Sequence, residues 1–446
     1  MTETPANDLN LGHFGTASYN SKAGKWSFTR NPNIGKLEQL GFWKEVIPPQ
    51  VQSSPSEPHR PLRVIEQATK TLIDEFPDLA PAAKYLPEHE AVSAALTTAI
   101  ATYDASVGEL MSFGSIPSKG ASDRRTRQVI ASAGGETGNI LRLHFLLTER
   151  NGWGNDKDTY LEALSTSNGD AGFWNEDAAP IQQVCFSHAE DCNSFLAIRL
   201  PARTALFNPV YHLHRKVSAQ SRFLPCPPSA FEMCPIGNVP IGDTGNVPHA
   251  DVAFNPYYQR QIAIVDQEWN WFVFDIDGGH RNRRYAVSRS VTGNMSMFDE
   301  PGPKSEYTNT ANSAKEDGWA RIMWVGDANT ILVCSRRHME LFNLKEGIQP
   351  LPHPSLIDRH TPNWILDVRR HPTNVARFFV LTSSRLYLLH VTCPNDMPDV
   401  DTIEGAHVIL TWVHFRAAED TTLQLYSQIT SDEGMTSMIL LVVSLY

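Results

Sequence analysis

The sequence predicts an all-β protein, a β-propeller of WD40-like blades with a short, partly helical N-terminal extension. Two observations carry this prediction. A hairpin, in which two runs of β-forming residues flank a short polar turn, recurs five times along the chain. Several later copies also follow a strand that ends in a turn rich in Asn, Asp, Gly or Pro. A repeated antiparallel unit indicates radial or linear repetition and argues against a catalytic α/β domain.

The hairpins are predicted from residue 129 onwards, and the first of them has a glycine-rich turn at Gly134–Gly138. Runs such as Trp271–Phe274 are almost continuously apolar, as expected for blade strands that are covered on both faces. An all-β sandwich is the alternative fold. The paired runs are 129–132 with 140–145, 195–198 with 204–207, 262–265 with 271–274, 331–334 with 339–342, and 379–382 with 386–389. The preceding strands are predicted at 181–188, 251–256, 321–326 and 365–372.

The spacing of the repeat supports four-stranded blades. Trp324 and Val368, which we place at equivalent points of two preceding strands, are 44 residues apart, within the roughly 40 to 45 residue period of such blades. Earlier steps are longer and leave room for insertions. We therefore predict a propeller at 102–446 with surface insertions near 218–248, which is rich in Pro and Gly, and near 278–318, which is polar.

The N-terminal part has a different pattern. Residues 1–47 are predicted to form an arm with an extended segment at Lys25–Arg30, and 48–101 a linker rich in Pro and Ser followed by short helices. We expect the helices to pack on the propeller, and a partner-binding helix is the alternative. The first helix is predicted from apolar residues at helical spacing, namely Ile65, Ala68, Leu72 and Phe76, and the second is alanine-rich and ends near Ala101.

The charge composition limits the ways in which the protein could bind nucleic acid. The net charge of −11 argues against a protein that holds nucleic acid by bulk electrostatics. Local contacts remain possible at arginines in predicted turns or insertions, although solvated loop charges are the plainer interpretation. The candidate nucleic-acid or partner contacts are Arg281, Arg283, Arg284, Arg336 and Arg337.

No signal peptide is visible and the six cysteines are scattered, so we expect a reducing compartment, the cytosol or nucleus. The longest apolar run, Met438–Val443, is too short to cross a bilayer, and no membrane association is expected.

No enzyme motif is recognisable, and we expect no catalytic, cofactor or metal site. The phosphate loop, the His-Glu-x-x-His helix and the nucleophile elbow are all missing from the sequence. A zinc site formed by Cys185, His188, Cys192 and downstream cysteines is the weaker alternative. Three residues near turns, Asp266, Asp367 and His371, are expected to hydrogen-bond to turn backbone and not to act as acids or bases.

Longer segments resemble a known family. They are His249–Asp275, Arg321–Arg336 and Trp364–Asn374, in this order, with Leu11–Tyr19 near the amino terminus. They resemble the largest-subunit family of the fungal RNA polymerase I core factor, to which the animal TATA-binding-protein-associated factor C is related. The similarity touches most of the chain and is more specific than a generic propeller match.

The resemblance implies a nucleolar, non-catalytic initiation factor. Its implied partners are the other core factor subunits, TATA-binding protein, and RNA polymerase I with its own initiation factor. The assembled complex would bind the ribosomal DNA promoter and recruit the polymerase. Family members continue into a C-terminal helical region, which we do not expect within these residues. A propeller scaffold or substrate receptor in a ubiquitin ligase or chromatin complex is the alternative function.

Overall fold

Strands and connecting loops make up almost all of the residues that the computed structural model describes. The residues that it describes are 16–20, 25–29, 70, 103–119, 126–135, 137–152, 160–187, 194–214, 216–218, 220–222, 226–278, 284–295, 317–345, 347–358, 361, 363–393, 404–432 and 435–444. They form two compact units. The first comprises Met1–Gln52, Met111–Pro180 and Pro209–Met233, and the second Ser53–Leu110, Ile181–Asn208 and Cys234–Tyr446.

The strands, in chain order, are β1 (Thr16–Asn20), β2 (Lys25–Thr29), β3 (Met111–Lys119), β4 (Thr126–Gly134), β5 (Ile140–Gly152), β6 (Tyr160–Asn175), β7 (Gln183–Phe186), β8 (Leu196–Leu200), β9 (Arg203–His212), β10 (Gln220–Ser221), β11 (Phe231–Pro240), β12 (His249–Phe254), β13 (Gln261–Asp266), β14 (Asn270–Gly278), β15 (Tyr285–Asn294), β16 (Ala320–Trp324), β17 (Thr330–Ser335), β18 (Met339–Asn343), β19 (Gln349–Leu351), β20 (Ile365–Arg370), β21 (Arg377–Thr382), β22 (Arg385–Thr392), β23 (Gly405–Val413), β24 (Gln424–Asp432) and β25 (Met435–Val443). A short 3₁₀ turn occupies Ile241–Thr244.

The first unit contains an antiparallel meander of β3, β4, β5 and β6, and the separate hairpin of β1 and β2. The predicted turn between β4 and β5 is confirmed, because Gly135 and Gly138 both have positive φ angles, 89° and 68°, which glycine adopts without steric cost. Buried aromatic rings pack nearby: Phe145 stacks on Phe231 and meets Tyr211 edge-on.

The second unit is a succession of antiparallel sheets. Three of them have four strands each, in the orders β12 to β15, β16 to β19 and β20 to β23. Before them, β7, β8, β9 and β11 pair in that order, and after them β24 pairs with β25. Apolar clusters join consecutive sheets; one, for example, packs Trp271 of β14 against Phe342 of β18. Face-to-face stacking of four-stranded sheets is the architecture of propeller blades, and the predicted fold class is confirmed.

Both predicted insertions contain a strand. β11 lies inside 218–248 and pairs with β9, and β15 lies inside 278–318 and is the fourth strand of its sheet. The interpretation of these stretches as surface loops is therefore wrong over both strands. β11 contains Pro235 and Gly237, and β15 is mostly exposed; outer strands tolerate such residues because they have only one neighbour.

The predicted equivalence of Trp324 and Val368 is also wrong. Trp324 pairs with Ile331, the second residue of β17. In the next sheet, the residue that pairs with the second residue of β21 is Arg370, which lies opposite Phe378. The step between these sheets is therefore 46 residues, from Trp324 to Arg370.

In the N-terminal part, β2 confirms the extended segment predicted at Lys25–Arg30. The two predicted helices near 65–76 and 88–101 lie outside the described residues, apart from Lys70, which is helical. Within the described part of the chain, no helix has the length and apolar character needed to cross a membrane.

Candidate protein-interaction surface

Four polar residues occupy equivalent positions on the first strands of consecutive sheets in the second unit. Each pairs with the next-to-last residue of the neighbouring strand. Three of them are buried: Gln183 has 6 % of its surface exposed, Asp251 5 % and Asp367 1 %. We call this set the polar row: Gln183 of β7, Asp251 of β12, Arg321 of β16 and Asp367 of β20.

Three members of the polar row hold the next sheet in place. In each case a side-chain oxygen accepts a hydrogen bond from a backbone N–H of the first strand of the following sheet. The pairs are Gln183 Oε1 with Val252 N at 3.2 Å, Asp251 Oδ2 with Ile322 N at 2.9 Å, and Asp367 Oδ2 with Leu425 N at 3.0 Å. Because a buried N–H without an acceptor is costly, these contacts fix the register of one sheet against the next.

Arg321 breaks this pattern because a guanidinium can only donate hydrogen bonds. The N–H at the corresponding place, that of Val368, instead donates to Asp367 Oδ1 at 2.9 Å. Arg321 Nη1 lies 3.5 Å from Asp251 Oδ1. The cavity beside this pair has a volume of about 30 Å³, far below the roughly 300 Å³ of small-molecule pockets, so this part of the polar row is a structural element.

Burial changes the pKa of one member of the polar row and of a buried histidine on β12. It raises the pKa of the Asp367 carboxyl to about 6, against the opposing effects of Arg321 and of the N–H groups that Asp367 binds. It lowers the pKa of His249 to about 4, so the imidazole is neutral at pH 7. The two His249 nitrogens lie 2.9 Å from Thr204 Oγ1 and 2.8 Å from Thr244 Oγ1.

The predicted arginine contacts fall into different environments. Arg281 and Arg283 lie outside the described residues, and Arg284 is exposed immediately before β15. Arg337 is half-buried, and Arg336 is buried with 3 % of its surface exposed. Of the three candidate arginines that the structure describes, Arg284 is therefore open to a partner, whereas Arg336 is not.

Arg336 has a structural role that the sequence did not reveal. Its guanidinium binds the Asp317 carboxylate through Nη2 at 2.7 Å and donates from Nη1 to the carbonyl of Ile365 at 3.1 Å. The same group lies 4.5 Å from the ring centre of Trp319 and 5.2 Å from that of Trp364. It thus links the segment before β16 to β20.

The proposed turn roles are confirmed for two of three residues. The Asp266 carboxylate accepts hydrogen bonds from the backbone N–H groups of Glu268 and Asn270. His371 Nδ1 accepts from the N–H of Asn374. Asp367 differs, because its main acceptor role is between sheets.

The zinc alternative finds little support. Burial raises the pKa of the Cys185 thiol to about 12, which disfavours the thiolate that zinc requires. His188 and Cys192 lie outside the described residues. Among the residues that are described, no three His, Cys, Asp or Glu side chains come close enough to hold a metal ion.

An apolar surface lies on β23, the outer strand of its sheet. From His407 to Val413 every residue of this strand is exposed. Leu410, Trp412 and Val413 are 48, 41 and 48 % exposed, and Phe415 just beyond them is 91 % exposed. Phe415 also has a positive φ of 56°, which is rare for a bulky residue. Exposed aromatic residues at this density are typical of protein-binding surfaces.

The family model for the β-propeller of Rrn6 matches residues 104–445. The chain belongs to the Rrn6 β-propeller family. This confirms the resemblance to the core factor family that the segments between His249 and Asn374 indicate. No curated protein sequence matches the chain.

Solved structures similar to this Rrn6-family chain include the core factor of S. cerevisiae, which is 15 % identical with a TM-score of 0.48 over 77 % of this chain and 48 % of that chain. The chain thus spans about half the length of that relative. A second is the Cps50 (Swd1) β-propeller domain of Myceliophteria thermophila, with 12 % identity and a TM-score of 0.33 over 64 % of this chain and 69 % of that chain. A third is a Chaetomium thermophilum Polycomb Repressive Complex 2, with 10 % identity and a TM-score of 0.40 over 75 % of this chain and 67 % of that chain.

The polar row of this Rrn6-family chain is the feature that sequence reasoning missed. A signal existed: in three of the first strands a polar residue stands three positions before an aromatic one. The pairs are Gln183 with Phe186, Asp251 with Phe254, and Arg321 with Trp324.

Proposed function

We propose that this protein is a non-catalytic scaffold subunit of the RNA polymerase I core factor. The observation that carries the proposal is the match of the Rrn6 propeller model over residues 104–445. Its partners are the other core factor subunits, TATA-binding protein, and RNA polymerase I with its initiation factor, and it acts in the nucleolus.

A stack of sheets joined by buried hydrogen bonds is a rigid support, which suits a protein that holds several others at once. The polar row and Arg336 provide these connections between successive sheets. Affinity for partners then comes from a few exposed aromatic anchors, and Trp412 and Phe415 are exposed side chains of this kind.

The promoter is contacted mainly by the assembled complex, because this chain carries a net charge of −11 and acidic proteins repel the phosphate backbone. The local exception in the proposal is the segment of Arg281, Arg283 and Arg284, where three cations fall within four residues. Arg284, the member that is described, is exposed.

Transcription from a ribosomal DNA promoter tests this function. A nuclear extract depleted of the protein is expected to lose correctly initiated transcripts by RNA polymerase I and to regain them when the complex purified on the tagged chain is added back. Transcription from a promoter of RNA polymerase II in the same extract serves as the control. An extract that initiates normally on ribosomal DNA after depletion would contradict the proposal and favour a chromatin or ubiquitin-ligase scaffold.

A further inference from the structure

A short segment of the second unit, residues 104–110, runs beside β7, the end strand of its sheet. Two backbone hydrogen bonds hold it there. The N–H of Gly108 donates to the carbonyl of Gln182 at 2.7 Å, and the N–H of Val184 donates to the carbonyl of Glu109, also at 2.7 Å. The segment therefore supplies both a donor and an acceptor to the backbone at the start of this sheet.

Arg199 of β8 binds the middle of the segment. Its side chain is fully buried, and its Nη2 donates to the carbonyl of Ser106 at 2.6 Å. Its Nη1 donates to the carbonyl of His249, the first residue of β12, at 2.8 Å. Burial lowers the pKa of this guanidinium to about 10, so it is charged at pH 7, and a buried charge requires hydrogen-bond acceptors. The Ser106 carbonyl is one of the acceptors that Arg199 has.

The end of the segment is joined to a different sheet. The Glu109 carboxylate forms an ion pair with Nη1 of Arg369 on β20, and Nε of the same arginine lies 2.9 Å from Asp367 Oδ2. Ala105 packs against the apolar cluster that the sheets of β16 to β19 and β20 to β23 form together. One short segment thus connects the sheet of β7 with the sheet of β20, although two other sheets lie between them in the chain.

Polar contacts account for most of this attachment. None of residues 104–110 is buried, since Asp104 and Glu109 are exposed and the others are half-buried. In β13, by contrast, every residue from Ile262 to Asp266 is buried. Segments with few buried apolar contacts open at a lower free energy than buried strands do. Detachment of residues 104–110 therefore does not require the sheets themselves to come apart.

We propose that residues 104–110 are a latch, which fastens the sheet of β7 to the sheet of β20 and opens by local unfolding while the sheets stay folded. In the open state three groups lose the acceptors that the latch supplies, namely Arg199 Nη2, Arg369 Nη1 and the N–H of Val184. Water replaces these acceptors, and the fully buried Arg199 becomes accessible from the side of β7. The latch is a property of this unit and does not depend on the proposed function.

Hydrogen exchange of the full chain, at urea concentrations below the unfolding transition, tests the latch. Local opening exposes little surface, so the amides of Gly108 and Val184 are expected to exchange at least tenfold faster than those of β13 and at rates that hardly change with urea. The amides of β13 should exchange faster as urea is added, because they require a larger unfolding.

Two results of this experiment would overturn the proposal. If Gly108 and Val184 exchanged at the same rate as β13 and with the same dependence on urea, the segment would open only when the whole unit unfolds. If Gly108 exchanged as fast as an unstructured peptide, the segment would not be fastened at all.

Substitutions at the two ends of the attachment loosen the latch in independent ways. Gly108→Val adds a side chain where a Cβ would already lie 3.2 Å from Cγ of Gln183, and Glu109→Lys sets a like charge against Arg369. Each variant is expected to accelerate exchange of the Val184 amide about tenfold, and to leave β13 unchanged. Glu419→Lys makes the same change of charge at an exposed residue and should alter neither.

These variants can also contradict the latch. Exchange at Val184 that stayed the same in Gly108→Val and Glu109→Lys as in Glu419→Lys would show that the segment does not protect β7. Equal acceleration at Val184 and in β13 would show that the two residues stabilise the whole unit, and would overturn local opening.

Discussion

The Asp251 carboxylate accepts a hydrogen bond from the backbone N–H of Ile322 at 2.9 Å and thereby joins the first strands of two consecutive sheets. The other oxygen of the same carboxylate, Oδ1, accepts a hydrogen bond from Gln183 Nε2 at 2.6 Å. One buried carboxylate thus connects three successive sheets, since Gln183 belongs to the sheet before and Ile322 to the sheet after.

Removal of this acceptor is expected to destabilise the protein. Asp251→Ala leaves the Ile322 N–H without its acceptor and removes the shorter of the two hydrogen bonds that the Gln183 amide donates, at a cost of about 3 kcal/mol in the free energy of unfolding. Asp251→Asn retains one oxygen and should cost less. Denaturant unfolding checks this, with exposed Asp277→Ala as the control, expected to stay within about 0.5 kcal/mol of the parent protein. Equal stability of the two Ala variants would disprove the role of Asp251.

His249 is expected to make the protein less stable in mild acid. Its pKa is lowered from 6.5 to about 4 in the folded state, so between these values the unfolded chain binds a proton that the folded chain does not. The stabilisation present above pH 6.5 is lost as the pH falls, by on the order of 3 kcal/mol. His249→Gln should remove this dependence, whereas exposed His214→Gln should keep it. An identical pH profile for both variants would contradict the assignment.

Asp367 is expected to act in the opposite direction. Its pKa is raised from 3.8 to about 6, so between these values the folded chain binds the extra proton. The contribution of this group is fully present below pH 3.8 and is lost as the pH rises to about 6, by on the order of 3 kcal/mol. The stability difference between the parent protein and Asp367→Asn should shrink by that amount over this interval. A stability difference that stays constant over this interval would rule out the raised pKa.

Arg336 is expected to matter for folding and not for binding. Arg336→Lys keeps the charge but cannot reproduce both the contact with Asp317 and that with the Ile365 carbonyl, nor the stacking on tryptophan, so the free energy of unfolding should fall by about 2 kcal/mol. Its half-buried neighbour supplies the control, Arg337→Lys, with little expected change. Thermal unfolding of both variants measures this, and a silent Arg336→Lys would show that the contacts contribute nothing.

The arginines of the segment before β15 are expected to contact phosphate in the assembled complex. Replacing Arg281, Arg283 and Arg284 together by Ala should reduce the dependence of promoter binding on salt, lowering the log-log slope by about 2 to 3 if each contacts one phosphate. Titrations of the complex on promoter DNA at several salt concentrations measure the slope. Exposed Arg222→Ala serves as the control, and an unchanged slope for the triple variant would exclude these contacts.

The inner strands were predictable because burial on both faces makes them continuously apolar. β13, from Gln261 to Asp266, and β17, from Thr330 to Ser335, are buried along almost their whole length, and the corresponding runs stand out in the sequence. The outer strands were not predictable in this way. β15 is mostly exposed, and its half-buried Tyr285, Val287 and Val291 are separated by exposed and largely polar residues, so it lacks the continuous apolar run that marks an inner strand.

The candidate site was harder to predict than the fold. Arg336 and Arg337 are adjacent in sequence and look alike as loop charges, yet only the fold decides that the first lies between two tryptophans and the second does not. The apolar stretch of β23 gave no signal of exposure, because Leu410 and Trp412 would be read as core residues in any strand. Their exposure comes from the position of β23 as the outer strand of its sheet, which is a property of the assembled sheets and not of the local sequence.

Affinity purification of the tagged chain from nuclear extract, with mass spectrometry of the proteins that co-elute, tests the central claim most directly. Membership of the core factor predicts that TATA-binding protein and subunits of the RNA polymerase I initiation machinery are recovered in amounts comparable to the tagged chain. Recovery of cullin adaptors or chromatin-complex subunits in their place would contradict it.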